Sequence, residues 1–360
     1  MPLNRFLAGT IPGAAGTAAK SGGPGAVRAR ESGYGGDGAP PSNQILATRH
    51  AAPAIRVLLA GLLAGLATGC SINQMVANKV GDALAGGGGV FASDNDPQLV
   101  KDAVPFSLKL MESLLAESPR HRGLLVATSS GFTQYAYAFV QQDADELEGR
   151  DVEAAQAMRI RARRLYLRAR DYALRGLDTT HPGFSGELRT TPRATGRLLQ
   201  KSDVPMAYWA AASWGAAISL GKDDPSLIAE IPQVETLIDR ALELNESWDN
   251  GSIHTFLITY EMSRSGIRGD PAERARRHFD RALELSGGRQ AGPFVALAEA
   301  VCVEKQDAAQ FELLLNRALA VDPDAAPEFR LANLVMQRRA RWLLSKKDDL
   351  FLSPAKPAGN

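Results

Sequence analysis

Apolar residues recur at helical spacing through residues 97–345, and Pro and Gly separate one such segment from the next. No segment shows the sustained alternation of polar and apolar residues that is typical of a half-buried strand. The pattern therefore predicts an all-α fold. The predicted helices span residues 97–118, 121–148, 151–178, 203–221, 226–245, 250–265, 270–286, 291–304, 307–321 and 325–344. Residues 179–202 are predicted to form one long irregular connection, with room for a short helix or two.

Three of the predicted helices end in related sequences. Residues 240–245, 281–286 and 317–322 each begin Arg-Ala-Leu, and the repeats follow one another at intervals of 41 and 36 residues. Tetratricopeptide-type repeats, which are roughly 34 residues long, end their second helix in this kind of segment. Since one helix pair cannot bury its apolar face alone, we expect stacked helix pairs with divergent tetratricopeptide-like repeats, an α-solenoid.

The region before the helices has a different composition. Residues 1–53 are rich in Gly, Ala, Pro and Ser, so we expect a disordered extension or a start codon assigned too far upstream. Residues 54–69 form a predicted signal peptide, with the basic Arg56, an apolar run over 55–67 and small residues at its end. That run is shorter than the roughly 20 apolar residues that span a bilayer.

Cys70 directly follows Thr68 and Gly69, which is the pattern of a bacterial lipobox, although Leu66 lies four places before the cysteine rather than three. We therefore expect Cys70 to be acylated and the protein to be anchored to a membrane in the periplasm of a Gram-negative bacterium. The predicted domain order is then a lipidated tether over 70–96, a helical-repeat domain over 97–345 and a tail over 346–360.

The charge balance and the motif content of the chain limit which classes of function fit the sequence. Residues 1–69 hold six basic and two acidic residues, so 35 Lys and Arg and 38 Asp and Glu remain of the 41 and 40 in the chain. This balance gives no indication of a nucleic-acid partner. The sequence shows no metal-ligand spacing, no nucleophile elbow and no cofactor motif, and Cys302 lies in an apolar run, so we expect neither an enzyme nor a cofactor.

Aromatic residues alternate with alanines in residues 132–139 and 208–214. Core packing is one interpretation of these segments. The other is a cavity for an apolar or amphipathic ligand, in which Gln134 and Ser213 supply polar partners. The candidate cavity residues are Tyr135, Tyr137, Trp209, Trp214, His254 and Tyr260.

Several of these stretches resemble the TatT family, the T component of tripartite ATP-independent periplasmic (TRAP) transporters. The resemblance rests on Cys70 with the Gly-rich segment after it, and on residues 131–139, 209–218, 276–285 and 298–302. It implies a homotrimeric, tetratricopeptide-like lipoprotein that associates with a periplasmic solute-binding protein and, through it, with a membrane permease. It also implies a role in docking or in handling a hydrophobic solute.

Two other classes of function fit the sequence features. A tetratricopeptide-type scaffold for envelope assembly would bind extended peptides, and it predicts Asn, Lys and Arg along a concave groove instead of aromatic residues. A hydrolase would need a nucleophile and a base brought together by the fold.

Overall fold

The computed structural model describes residues 78–83, 86 and 88–352. Residues 1–53, the predicted signal peptide over 54–69 and Cys70 lie outside the described residues. The part of the chain that the structure describes is helical and contains no β-strand, which confirms the all-α prediction. The arrangement as tetratricopeptide-like repeats stays a prediction.

The helices that carry the fold are named α1 to α10 in chain order. They are α1 Pro97–Glu117, α2 (in three consecutive parts, Arg122–Tyr135, Ala136–Gln141 and Gln142–Leu147), α3 Val152–Thr180, α4 Val204–Ser219, α5 Ile231–Asn245, α6 Ser252–Tyr260, α7 Pro271–Ser286, α8 (in two parts, Gly292–Leu297 and Ala298–Cys302), α9 Ala308–Leu319 and α10 Arg330–Ser345. Shorter helical segments are Gly88–Ala92, Phe184–Thr190, Pro192–Gly196, Lys201–Asp203, Pro225–Ile228, Trp248–Gly251, Pro327–Phe329 and Lys347–Leu350.

Capping side chains and a proline set where two of these helices begin. The Asp96 carboxylate accepts hydrogen bonds from the backbone amides of Gln98 and Leu99, both at 3.0 Å, and so caps α1. Pro97 follows as the first helical residue, where the missing N–H leaves no bond unmade. Asp151 caps α3 in the same way through the amide of Ala154 at 2.9 Å.

Three helix boundaries differ from the predictions. The segment predicted as one helix over 226–245 is split in two, and Pro232 lies in the first turn of the second part, α5. α6 ends at Tyr260 rather than near 265, and Gly266 and Gly269 in the connection that follows adopt left-handed φ values of 78° and 93°. α10 begins at Arg330, after a 3₁₀ turn over Pro327–Phe329.

Consecutive helices pack against one another along the chain, and α3 and α4 form the most extensive pair. Every residue of α4 from Met206 to Ser219 is buried, and small Ala side chains make up much of this helix. Small residues let the helix axes approach closely. At one such place, a Cβ added to Gly176 of α3 would clash with the thioether of Met206.

The last helix returns to the beginning of the domain. α10 packs against α8, α9 and α1, and its side chains form ion pairs with α2, about 195 residues earlier in the chain. This contact joins the two ends of the described domain, and it creates the pocket and the buried charge cluster described below.

Candidate functional site

A pocket of about 570 Å³ opens where the start of α1, the end of α2, the start of α3 and the middle of α10 meet. Its lining combines apolar and charged side chains. The lining residues are Pro97, Gln98, Lys101, Phe139, Asp143, Glu146, Leu147, Arg150, Met158 and Arg338. This size falls within the range of small-molecule sites in proteins, about 300–1,000 Å³.

Ion pairs across the pocket hold most of its charges in place. Arg338 donates to Asp143 and to Glu146, each at 2.7 Å, and Lys101 donates to Asp143 at 2.7 Å. Arg150 is exposed, and no ion pair between described residues involves it. The pocket therefore has three cationic side chains against two carboxylates, and the cation of Arg150 is available to a ligand.

A second cluster of charges is buried, and two of its residues adjoin pocket residues in the sequence. Arg339, the next residue after Arg338, donates to Asp145 at 2.9 Å and to Glu299 at 2.5 Å. These three side chains are only 4–6 % exposed. Burial opposes the charged form of the Arg339 guanidinium, but the attraction of Glu299 and Asp145 outweighs it and raises the pKa of Arg339. The guanidinium also lies over the Trp342 ring, 4.3 Å from its centroid.

Polar side chains of α2 and α3 extend this cluster. Asp145 also accepts a hydrogen bond from Arg159 of α3 at 3.0 Å. Tyr166 donates to Gln141 at 2.7 Å. Tyr137 is buried near the same charges, and this burial raises the pKa of its hydroxyl. A charged side chain is costly to bury without a partner, so the stability of the fold depends on the pairing of these side chains with one another.

Both helices that carry the acidic side chains of the buried cluster contain π-helical segments. Glu299 lies within Ala298–Cys302 of α8, and Asp145 follows the segment Ala136–Gln141 of α2 by four residues. A π-helical turn inserts an extra residue and changes which side of the helix the following side chains face. Such turns are common at functional sites. Here they bring two distant acidic residues to one arginine.

The six aromatic and histidine residues predicted to line a cavity are all buried, between 1 % and 8 % exposed. None of them lines the 570 Å³ pocket or a second pocket of about 340 Å³ beside Phe294 and Arg317. Their place in a ligand cavity stays a prediction. Phe139, from the same aromatic segment of α2, does line the larger pocket.

These six residues are distributed over several helices. Tyr135 packs against Phe139, with ring centroids 5.8 Å apart, and Trp209 packs edge-on against Tyr208 at 5.1 Å. Tyr137 lies near the buried charge cluster and donates to the sulfur of Met336 at 3.8 Å.

Their polar partners differ from the expected Gln134 and Ser213. The indole N–H of Trp214 donates to Glu230 at 2.7 Å, and the hydroxyl of Tyr260 donates to Glu235 at 3.3 Å. Ser213 instead donates to the backbone carbonyl of Trp209 in its own helix at 2.6 Å.

His254 pairs with a second histidine. Its Nδ1 lies 2.9 Å from Nδ1 of His278, and its Nε2 lies 3.3 Å from Glu246. Burial, together with the neighbouring His254, lowers the pKa of His278 to about 4. Burial also lowers the pKa of His254. His278 is therefore neutral at pH 7, and a neutral ring can donate from one nitrogen and accept at the other.

The residues of the buried charge cluster were not among the predicted site residues. A signal for Glu299 was present, because this ionisable residue interrupts the otherwise apolar residues 294–303. Arg339 gave no such signal, since it lies among other polar and charged residues of α10. Among the described residues, no group of three or more His, Cys, Asp or Glu side chains is arranged to hold a metal ion. Within the same part of the chain, no helix combines the length and the apolar character needed to cross a membrane.

Comparison with known proteins agrees with the resemblance found in the sequence. The TRAP transporter T-component family matches residues 93–351, which include the pocket and the buried cluster. A protein from Treponema pallidum (strain Nichols), described as uncharacterized, is 32 % identical over 268 residues, which cover 73 % of this chain and 83 % of the relative. The chain therefore belongs to the TRAP transporter T-component family, and its role is that of an accessory component of such a transporter.

Proposed function

We propose that this T component is a periplasmic lipoprotein, acylated at Cys70, that docks the solute-binding protein of its transporter and holds an amphipathic, negatively charged solute. The observation that carries the proposal is the composition of the 570 Å³ pocket, in which an apolar wall lies beside an excess of cations. We further propose that the protein works as a homotrimer, as its resemblance to the TatT family implies.

The pocket has an apolar part and a cationic part, which match the hydrocarbon portion and the negatively charged group of an amphipathic solute. Phe139, Leu147 and Met158 offer apolar surface to a hydrocarbon portion. Lys101 and Arg338 are already paired with carboxylates, so Arg150 is the cation that an incoming carboxylate meets. A charge-assisted hydrogen bond of this kind is worth about 1.5–3 kcal/mol. A medium-chain carboxylate combines the required features.

Replacing Arg150 with Glu is expected to weaken the binding of decanoate at least tenfold, because the variant brings a like charge to the carboxylate. Titration calorimetry measures this directly. Arg276→Glu, an exposed substitution outside the pocket, is the matched control and should bind like the wild type. Equal affinity of the Arg150→Glu variant and the wild type would contradict the solute site.

An exposed apolar stripe on α1 is the surface that we assign to the solute-binding protein. Leu99 and Phe106 are 57 % and 73 % exposed. Ala103 lies between them in the sequence and Leu110 follows them, and both are half-buried. The spacing places all four on one face of the helix. Side chains of this kind are costly to leave in water and are typical of partner contacts. The family role in a multi-component transporter makes the solute-binding protein the partner that fits.

The double substitution Leu99→Asp and Phe106→Asp is expected to abolish co-purification of the solute-binding protein, because charges replace the apolar centre of the contact. Both side chains are exposed, so stability should change by less than about 1 kcal/mol. The experiment is an affinity purification from native membranes, with mass spectrometry of bound proteins and extracted small molecules. Val152→Asp, at another exposed apolar position, is the control.

Sedimentation of the same variants separates the alternatives. If the double variant loses the solute-binding protein and keeps the mass of the wild-type oligomer, the stripe is the docking surface. If the oligomer dissociates, the stripe joins copies of this chain instead. Recovery of envelope-assembly factors or peptides with the wild type, in place of a solute-binding protein, would overturn the docking proposal.

A further inference from the structure

Four exposed cations recur every fourth residue along the connection between α3 and α4. They are Arg189, Arg193, Arg197 and Lys201. No ion pair between described residues involves them, and Glu187 is the only carboxylate in residues 184–202. The chain from Cys70 onward has more acidic than basic residues, so this basic surface is a local concentration of charge and does not follow from overall composition.

The connection that carries this basic surface is fixed to the helices beneath it. Phe184 and Leu188 are fully buried, at 1 % and 0 % exposed. The carbonyl of Arg189 accepts a hydrogen bond from Gln233 of α5 at 3.3 Å, and the carbonyl of Leu199 accepts one from Arg240 at 3.2 Å. The backbone that carries the four exposed cations is therefore held in place against α5.

The N-terminal part of the described chain reaches the domain beside this surface. Arg122, at the start of α2, donates to the carbonyl of Ser202 at 3.1 Å and to Asp203 at 3.0 Å, next to Lys201. The preceding residue, His121, lies 3.2 Å from the carbonyl of Asn78 through its Nε2. The side chain of Asn78 also accepts a hydrogen bond from Ser118 at 2.5 Å. Residues 78–83 and the end of the basic surface thus meet at the turn between α1 and α2.

The distance to the proposed anchor is short. Cys70 precedes Asn78 by eight residues, which reach at most about 28 Å when fully extended. An acyl group on Cys70 would therefore keep Asn78, which contacts the turn between α1 and α2, within about 28 Å of the attachment point. The basic surface begins at that turn and contains an exposed apolar residue, Leu198, at 48 %.

We propose that the basic surface of Arg189, Arg193, Arg197 and Lys201 binds the anionic headgroups of the membrane to which the protein is tethered. The proposal rests on the acylation of Cys70 for its biological setting. The binding chemistry depends on the cations alone. Each Lys or Arg near an anionic lipid surface strengthens association about fivefold at moderate salt. Contact through this surface would fix the orientation of the domain, so that one end faces the lipid.

The test uses the proposed mature protein, the chain from residue 70 onward, with Cys70→Ser, so that neither the predicted signal peptide nor an acyl group contributes to binding. Flotation with vesicles of phosphatidylcholine alone, or with 30 % phosphatidylglycerol added, measures the part of binding that depends on anionic lipid. Replacing Arg193, Arg197 and Lys201 by Gln is expected to lower that part about 100-fold, and high salt should weaken wild-type binding in the same way. The matched control replaces Arg276, Arg277 and Arg341, which are also exposed cations, by Gln.

The outcomes distinguish this proposal from the proposed function. Loss of binding in the first triple variant and retention in the control would support the lipid-facing surface, whatever the solute or docking experiments show. Equal binding of both triple variants to the anionic vesicles would overturn it. If the first triple variant binds vesicles normally but fails to retain the solute-binding protein, the surface is a protein contact instead.

Discussion

Replacing Arg339 with Met is expected to lower the free energy of unfolding by about 3–5 kcal/mol, because the substitution leaves Asp145 and Glu299 buried without their shared cation. In this variant Arg159 still pairs with Asp145, whereas Glu299 loses the cation that it pairs with. Chemical denaturation followed by circular dichroism measures the loss of stability.

The neighbouring arginine provides the control. Arg338 pairs with Asp143 and Glu146 on the pocket wall and is 39 % exposed, so Arg338→Met should cost less than about 1 kcal/mol. Adding Glu299→Gln to the Arg339→Met variant should restore part of the loss, since it removes the unpaired charge. If Arg339→Met and Arg338→Met are equally stable, the buried cluster does not hold α10 to α2 and α8.

The helices were predictable because their apolar spacing and their end signals are local. The start of α1 follows from Asp96 and Pro97, and α3 has its cap in Asp151. The split near Pro232 was missed because the apolar spacing continues across it, although proline is restricted to the first turn of a helix. The resemblance to the transporter family came from residues 131–139 and the other quoted stretches, and the family match confirms it.

The pocket was not predictable from one sequence. It depends on Arg338 of α10 meeting Asp143 and Glu146 of α2, residues more than 190 positions apart. Helical spacing shows which face of a helix is apolar, but not which distant helix covers it. The π-helical segments add to the difficulty, because an extra residue in the turn changes the facing of the side chains after it. The sequence therefore led to the aromatic residues of these helices and not to their charges.

The backbone segment before α6 is strained, and a buried carboxyl within it is expected to have a large effect on stability. Asp249, Asn250 and Gly251 all have left-handed φ values, of 51°, 55° and 90°. Asp249 is 9 % exposed, and its Oδ2 accepts a hydrogen bond from Ser252 at 2.9 Å. Among described residues its Oδ1 has no hydrogen-bond partner. Burial raises the pKa of Asp249 from 3.8 to about 7.

This raised pKa makes stability depend on pH. Between about pH 4 and pH 7 the folded chain keeps the Asp249 proton, whereas the unfolded chain releases it. Raising the pH through this range therefore favours the unfolded state, and the loss is complete above pH 7. A difference of about three pKa units corresponds to about 4 kcal/mol.

Replacing Asp249 with Asn is expected to stabilise the protein at pH 8 by about 2–4 kcal/mol and to leave it nearly unchanged at pH 4. Asn keeps the shape of the protonated carboxyl, tolerates left-handed backbone and still accepts the hydrogen bond from Ser252. Thermal unfolding of both proteins from pH 4 to pH 8 measures the difference, with the exposed Asp223→Asn as the control. If the unfolding temperatures of Asp249→Asn and the wild type change in parallel from pH 4 to pH 8, the Asp249 carboxyl titrates at its ordinary pKa. The folded chain would then tolerate a charged group at this buried turn.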